Sequence, residues 1–147
     1  MKRRWIILAM PVLLYVKPVV AEEVIVFTQT ACQILEAEAL HVSARSADAC
    51  IAVNESSGQQ RLVSAKVLHL KGGDYIFRVS NRDMPYELGF WLRGAGLSRL
   101  TLPSVSGGGL HTGLSKDYKL TLQPGEYRYS CLLNPTPDYV LIVDQGR

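Results

Sequence analysis

Alternation with a period of two is the feature that most constrains this chain. Tyr75, Phe77 and Val79 alternate with Ile76, Arg78 and Ser80 until Asn81-Arg-Asp-Met-Pro85 breaks the run. Tyr86, Leu88, Phe90 and Leu92 then alternate with Glu87, Gly89, Trp91 and Arg93. Tyr118, Leu120 and Leu122 repeat the pattern, Gln123-Pro-Gly125 turns the chain, and Tyr127, Tyr129 and Cys131 share the next face. Neighbouring side chains of a strand point to opposite sides, so each run predicts a strand with one buried face. Short strands parted by Gly/Pro turns, with little helix, predict an all-β sandwich or barrel.

The remaining segments fit around these strands. Val24 to Thr28 is a further β-prone run, and the unbroken Tyr139-Val-Leu-Ile-Val143 reads as a closing strand buried on both faces. Cys32 to His41 is rich in Ala, Leu and Glu; its spacing suits helix or strand, and a short N-terminal helix is one expectation. Asn54-Glu-Ser-Ser-Gly58 and Lys71-Gly-Gly-Asp74 read as turns. Gly94 to Gly113, with its glycines and Pro103, reads as a long irregular loop, either a surface connection or a flap over a site or partner.

The N-terminus carries a different signal. Met1-Lys-Arg-Arg4 is followed by an apolar run to Val16 and by Val19-Val-Ala21 ahead of Glu22. A basic start, a short apolar stretch and a small-residue end predict a signal peptide over residues 1–21 and a single domain over 22–147. An uncleaved anchor is the alternative, because Lys17 and Pro18 interrupt the stretch before the cleavage site; no run of eighteen apolar residues exists either way. The expected location is periplasmic or secreted, with no stable membrane span after cleavage.

Taking Lys2, Arg3, Arg4 and Lys17 from the sixteen basic residues leaves twelve against thirteen acids. The basic excess therefore belongs to the leader, and no basic stripe is left to track nucleic acid. An oxidising compartment favours a disulfide among Cys32, Cys50 and Cys131. Cys32 with Cys50 is the most local pairing and leaves Cys131 free; three reduced, buried cysteines are the other reading.

Two stretches carry a family likeness. Gly73-Asp-Tyr-Ile-Phe-Arg-Val-Ser-Asn81 resembles the cupredoxin strand that ends in Val-x-Asn ahead of the first copper histidine. Leu122-Gln-Pro-Gly-Glu-Tyr-Arg-Tyr-Ser-Cys131 is similar to that family's Pro-Gly-x-Tyr-x-Tyr-x-Cys strand. The resemblance implies a Greek-key β-sandwich, with Cys131 at the position of the copper cysteine.

The other ligands of that family do not carry over. Leu132-Leu-Asn-Pro-Thr-Pro-Asp-Tyr139 holds neither histidine nor methionine, and Tyr86 or Glu87 stands where the first histidine would be. A standard blue-copper centre needs thiolate and imidazoles in a nearly trigonal plane and cannot be assembled from these residues. An atypical Cu(I) site is conceivable at Cys131 with Met84, Glu87 and His111; the plain alternative is that each of the four has only a packing or surface role. Glu36, Glu38 and His41 form a second polar run, read as solvated surface, and His69 is placed on an outward face.

No nucleophile elbow, zinc-protease helix or Cys-x-x-Cys pair is visible, so no enzyme is expected. The expectation is an exported, non-catalytic binding protein, handling copper through Cys131 or working without metal as an interaction module. An electron carrier whose site a partner completes is a further alternative. An apolar and aromatic rim of Tyr86, Phe90, Trp91, Leu132, Leu133 and Tyr139, beside the stiff Asn134-Pro-Thr-Pro137 turn, is the candidate contact surface for an exported protein partner.

Overall fold

The computed structural model describes residues 22–145, so the signal peptide expected over residues 1–21 lies outside the described residues. Two sheets face each other. One has the order β2-β1-β4-β7, built from β1 (Glu23–Thr30), β2 (Gln33–Ile34), β4 (Gly73–Asn81) and β7 (Ser115–Leu122). The other has the order β3-β9-β8-β5-β6, built from β3 (Leu68–Lys71), β5 (Leu88–Gly94), β6 (Val105–Leu110), β8 (Gly125–Ser130) and β9 (Tyr139–Asp144). The chain is thus a β-sandwich with a single α-helix among the described residues, as the alternation predicts.

The inward faces are those the sequence marks. Tyr75, Phe77 and Val79 from β4 meet Leu88, Phe90 and Leu92 from β5, with Tyr127 and Tyr129 from β8 alongside. Phe27 of β1 stacks on Tyr129 with ring centres 4.7 Å apart, and Phe90 tilts against Tyr118 at 5.2 Å. Aromatic side chains thus supply much of the apolar area removed from water between the sheets.

β1 runs parallel to β4, and β3 runs parallel to β9. Parallel neighbours require long crossovers. One of them contains the helix α1 (Ala47–Ser64), between β2 and β3.

Four expectations need correction. The helix lies over Ala47–Ser64 and not within Cys32–His41. Cys32 has a positive φ of 61°, which breaks regular structure there, and the Gln33 side chain ties the loop by bonding both the N–H and the C=O of Leu40 at 2.7 Å. Second, Asn54 to Gly58 does not turn the chain. Ser56 and Ser57 direct their hydroxyls onto the Val53 carbonyl at 3.0 and 2.8 Å, and the helix continues through them. It begins where Ser46 Oγ accepts the Ala49 N–H at 3.2 Å.

Third, Gly94 to Gly113 is not one loop, since it holds a 3-10 turn over Gly96–Leu100 and then β6. Here a Cβ built on Gly89 would lie 2.6 Å from the Gly107 carbonyl oxygen, so β5 and β6 approach only because glycine is present. Fourth, β9 is buried on one face, with Tyr139, Leu141 and Val143 inward and Val140 and Ile142 partly exposed.

Candidate functional site

Cys131 lies one residue beyond β8, and the strand alternation turns its side chain inward, where it is buried. Its Sγ accepts the N–H of Gly89 at 3.4 Å and of Asn134 at 3.2 Å. Burial pushes the thiol above its ordinary titration range, and the N–H groups aimed at the sulfur only partly offset that. The group is therefore a neutral, shielded thiol rather than a poised nucleophile.

Two side chains fix its surroundings. Gln29, fully buried on β1, donates from Nε2 to the Gly89 carbonyl at 2.7 Å, and its Oε1 has no partner among the described residues. Asn134 accepts the Cys32 N–H at 3.0 Å and donates from Nδ2 to the Thr30 carbonyl at 2.7 Å. Asn134 thereby couples the turn after Cys131 to the turn between β1 and β2 that carries the disulfide.

That disulfide joins Cys32 and Cys50, as expected, and leaves Cys131 free. It tethers α1 to the end of β1. Arg61 of α1 adds a buried ion pair with Glu38 at 2.5 Å and bonds the Cys32 carbonyl at 2.8 Å and Asn54 Oδ1 at 2.7 Å. Glu38 also accepts the Tyr139 hydroxyl, while Glu36 Oε2 takes the Thr28 N–H at 2.7 Å. The run Glu36, Glu38, His41 is therefore no uniformly solvated surface: Glu38 is a buried structural carboxylate, and His41 is exposed. His69 is exposed, as placed.

The four candidate metal residues have separate environments. Met84 is buried, with its N–H on Asn81 Oδ1 at 3.0 Å and its carbonyl accepting from Asn81 Nδ2 at 3.3 Å. Glu87 is exposed and its Oε1 accepts the Gly109 N–H. His111 is exposed. Cys131, Glu87 and His111 do not form a metal-holding group, nor does any other set of three His, Cys, Asp or Glu residues among the described residues. The residues at this end do not fit a histidine-bearing copper centre.

What the same end offers instead is an open groove of about 350 Å³. Gly89, Gly107 and Gly108 form its base and one wall, with Trp91, Leu132 and Leu133 around them. A Cβ on Gly108 would come within 2.8 Å of Glu87 Oε1, so the wall stays open because side chains are missing from it. Leu132 and Leu133 are 68% and 47% exposed. Of the expected rim, Tyr139 instead belongs to the core, Tyr86 is half-buried and Phe90 is buried but still lines the groove; Trp91, Leu132 and Leu133 line it as expected.

Trp91 does not hang free. The Arg93 guanidinium carbon sits 3.9 Å from the centre of its ring, and Arg93 is held in turn by Asp138 Oδ1 at 2.7 Å and Ser130 Oγ at 3.0 Å. Arg93 is almost fully buried, so it acts as a fixed support for the indole. Arg99 approaches the same ring at 5.4 Å. The supporting roles of Gln29 and Arg93 left no mark in the sequence, because a buried polar residue near a strand end breaks no periodic pattern, and Asn134 was marked only as part of a stiff turn.

No family model matches the chain, and no curated protein matches it. Among solved structures, an oxidised mutant of amicyanin and the reduced state of another amicyanin mutant are similar. Each is 18% identical, with 53% of this chain and 69% of the amicyanin chain covered at a TM-score of 0.38. So distant a likeness brings neither ligand nor activity to this chain.

Proposed function

We propose that this chain is an exported, non-catalytic binding module that holds an apolar segment of another protein in the groove between Trp91, Leu132 and Leu133. The observation that carries this reading is the groove itself, glycine-walled and continuous with two exposed leucines. Exposed apolar area of this kind, beside a tryptophan already fixed in place, is what a contact surface uses. A fixed indole loses little freedom on binding, which favours affinity.

Selection of a displayed peptide library against the purified protein tests the reading. Selected peptides share an apolar centre and bind the Trp91→Ala and Leu133→Ser variants at least about tenfold more weakly, as expected for loss of an interface anchor. Peptides that bind the variants unchanged would place recognition elsewhere and remove the reading.

A second reading keeps copper at Cys131. It is favoured by the two N–H groups that converge on Sγ, an arrangement that suits a thiolate once a soft cation has displaced the proton. Anaerobic Cu(I) titration with a competing chelator is the test: one equivalent bound by the native chain and none by Cys131→Ser supports it. Equal binding by both removes Cys131 from any site.

A further inference from the structure

We propose that the segment held in the groove carries carboxylates on either side of the apolar side chain it buries. This rests on the groove reading and adds the chemistry of the partner. Several cations are already paired. Arg61, Arg78, Arg93, Lys119 and Arg128 each have a carboxylate within 2.9 Å. Arg99 and Lys116 have none among the described residues, and each approaches a residue of the groove lining.

They meet the lining at different residues. Lys116 Nζ donates to the Gly108 carbonyl at 2.7 Å on the glycine wall, and an ammonium so placed keeps further donors for a second acceptor. Arg99 lies over the Trp91 ring, so the two unpaired cations stand at different lining residues. Glu87 faces the same wall, but its carboxylate is engaged by the Gly109 N–H. Two free cations against one engaged anion leave the rim attractive to negative charge.

The backbone of β6 cannot supply the recognition in their place. As an edge strand it would ordinarily offer a ladder to an added strand. Tyr118 Oη donates to the Gly107 carbonyl at 3.1 Å, Lys116 covers the Gly108 carbonyl, and Glu87 takes the Gly109 N–H. With these three groups engaged the glycine stretch offers an incomplete ladder, so the partner docks through side chains: one apolar group in the groove and acids reaching Arg99 and Lys116.

Fluorescence of the full chain carrying Trp5→Phe tests this, because Trp91 is then the sole indole. The probes are three nonapeptides with a central Phe-Leu pair, flanked by glutamates, serines or lysines. The glutamate peptide is expected to bind roughly tenfold tighter than the serine peptide at low ionic strength, with the lysine peptide weakest and the gap closing as salt screens the rim. In Arg99→Gln/Lys116→Gln the three affinities converge, while the far-UV circular dichroism is unchanged. Equal affinities for the unaltered rim would overturn the charge inference and leave the groove reading standing. Absence of binding by all three would remove the groove reading and this inference with it. A larger Trp91 response to phosphatidylglycerol vesicles than to any peptide would make the occupant a membrane and overturn the proposal.

Discussion

Cys131 shows how a reactive residue is made inert by its surroundings. The thiol and the tyrosines Tyr86, Tyr118, Tyr127, Tyr129 and Tyr139 all titrate above their ordinary values, in each case chiefly because burial penalises the charged form. The folded chain therefore holds protons that the unfolded chain releases from pH 9.0 for the thiol and 10.0 for the phenols. Where the unfolded state binds fewer protons, stability falls as pH rises. Melting temperature is expected to decline from pH 9 upward, and Cys131→Ala to remove the first part of that decline; a flat profile to pH 11 would contradict it. Thiol counting gives a companion result: no reactive thiol in the native chain, one after denaturation, and three after reduction. Asn81 is a different kind of residue. Fully buried, its side chain bonds the carbonyls of Met84, Tyr86 and Leu110 and the N–H of Met84. Asn81→Leu leaves several of these groups unsatisfied and should cost about 2–4 kcal/mol in urea denaturation. The sequence marks Asn81 as the end of a strand motif; its full role depends on the Met84 and Tyr86 carbonyls of the following turn and on the Leu110 carbonyl brought from far along the chain.

At the scale of elements, α1 is the least self-sufficient piece. Its sequence mixes Ala with Ser56, Ser57 and Gly58, and the helix is held by the disulfide and by Arg61 rather than by a strongly apolar face. Cys32→Ala/Cys50→Ala should cost about 3 kcal/mol on loop-entropy grounds and leave the strands intact. Hydrogen exchange would register this as lost protection confined to residues 47–64. The same dependence explains why sequence reading put the helix elsewhere: residues with turn chemistry stay helical when a tether and a buried ion pair supply what local propensity lacks. The strands were legible because their period of two is imposed by the fold itself. β6 was not, since three consecutive glycines carry no alternation and are fixed by close approach to β5. Filling that approach should be costly, and Gly89→Ala is expected to lower the denaturation midpoint sharply because the Cβ meets backbone. Gly108→Ala meets only the end of the Glu87 side chain, so it should be tolerated while narrowing the groove.

For the whole molecule, the sandwich places a shielded thiol, a disulfide-anchored turn and an apolar groove at one end, and these are linked through Gly89 and Asn134. Cysteine pairing, sandwich class and the inward turn of Cys131 could all be read from the sequence. The groove could not, because it arises from the absence of side chains at glycines in different strands and from Arg93 beneath Trp91. For Met84, Glu87 and His111 the sequence supplies residue types and not environments: Met84 is buried against Asn81, Glu87 accepts the Gly109 N–H, and His111 is exposed. The central claim, that the groove is where this molecule meets its partner, is tested most directly by amide and indole chemical shifts of the isotope-labelled chain during titration with a selected apolar-centred peptide. The account predicts saturable shifts at Gly89, Gly107, Gly108, Leu132, Leu133 and the Trp91 indole N–H. Saturable binding that leaves those signals unmoved and shifts another face would contradict it.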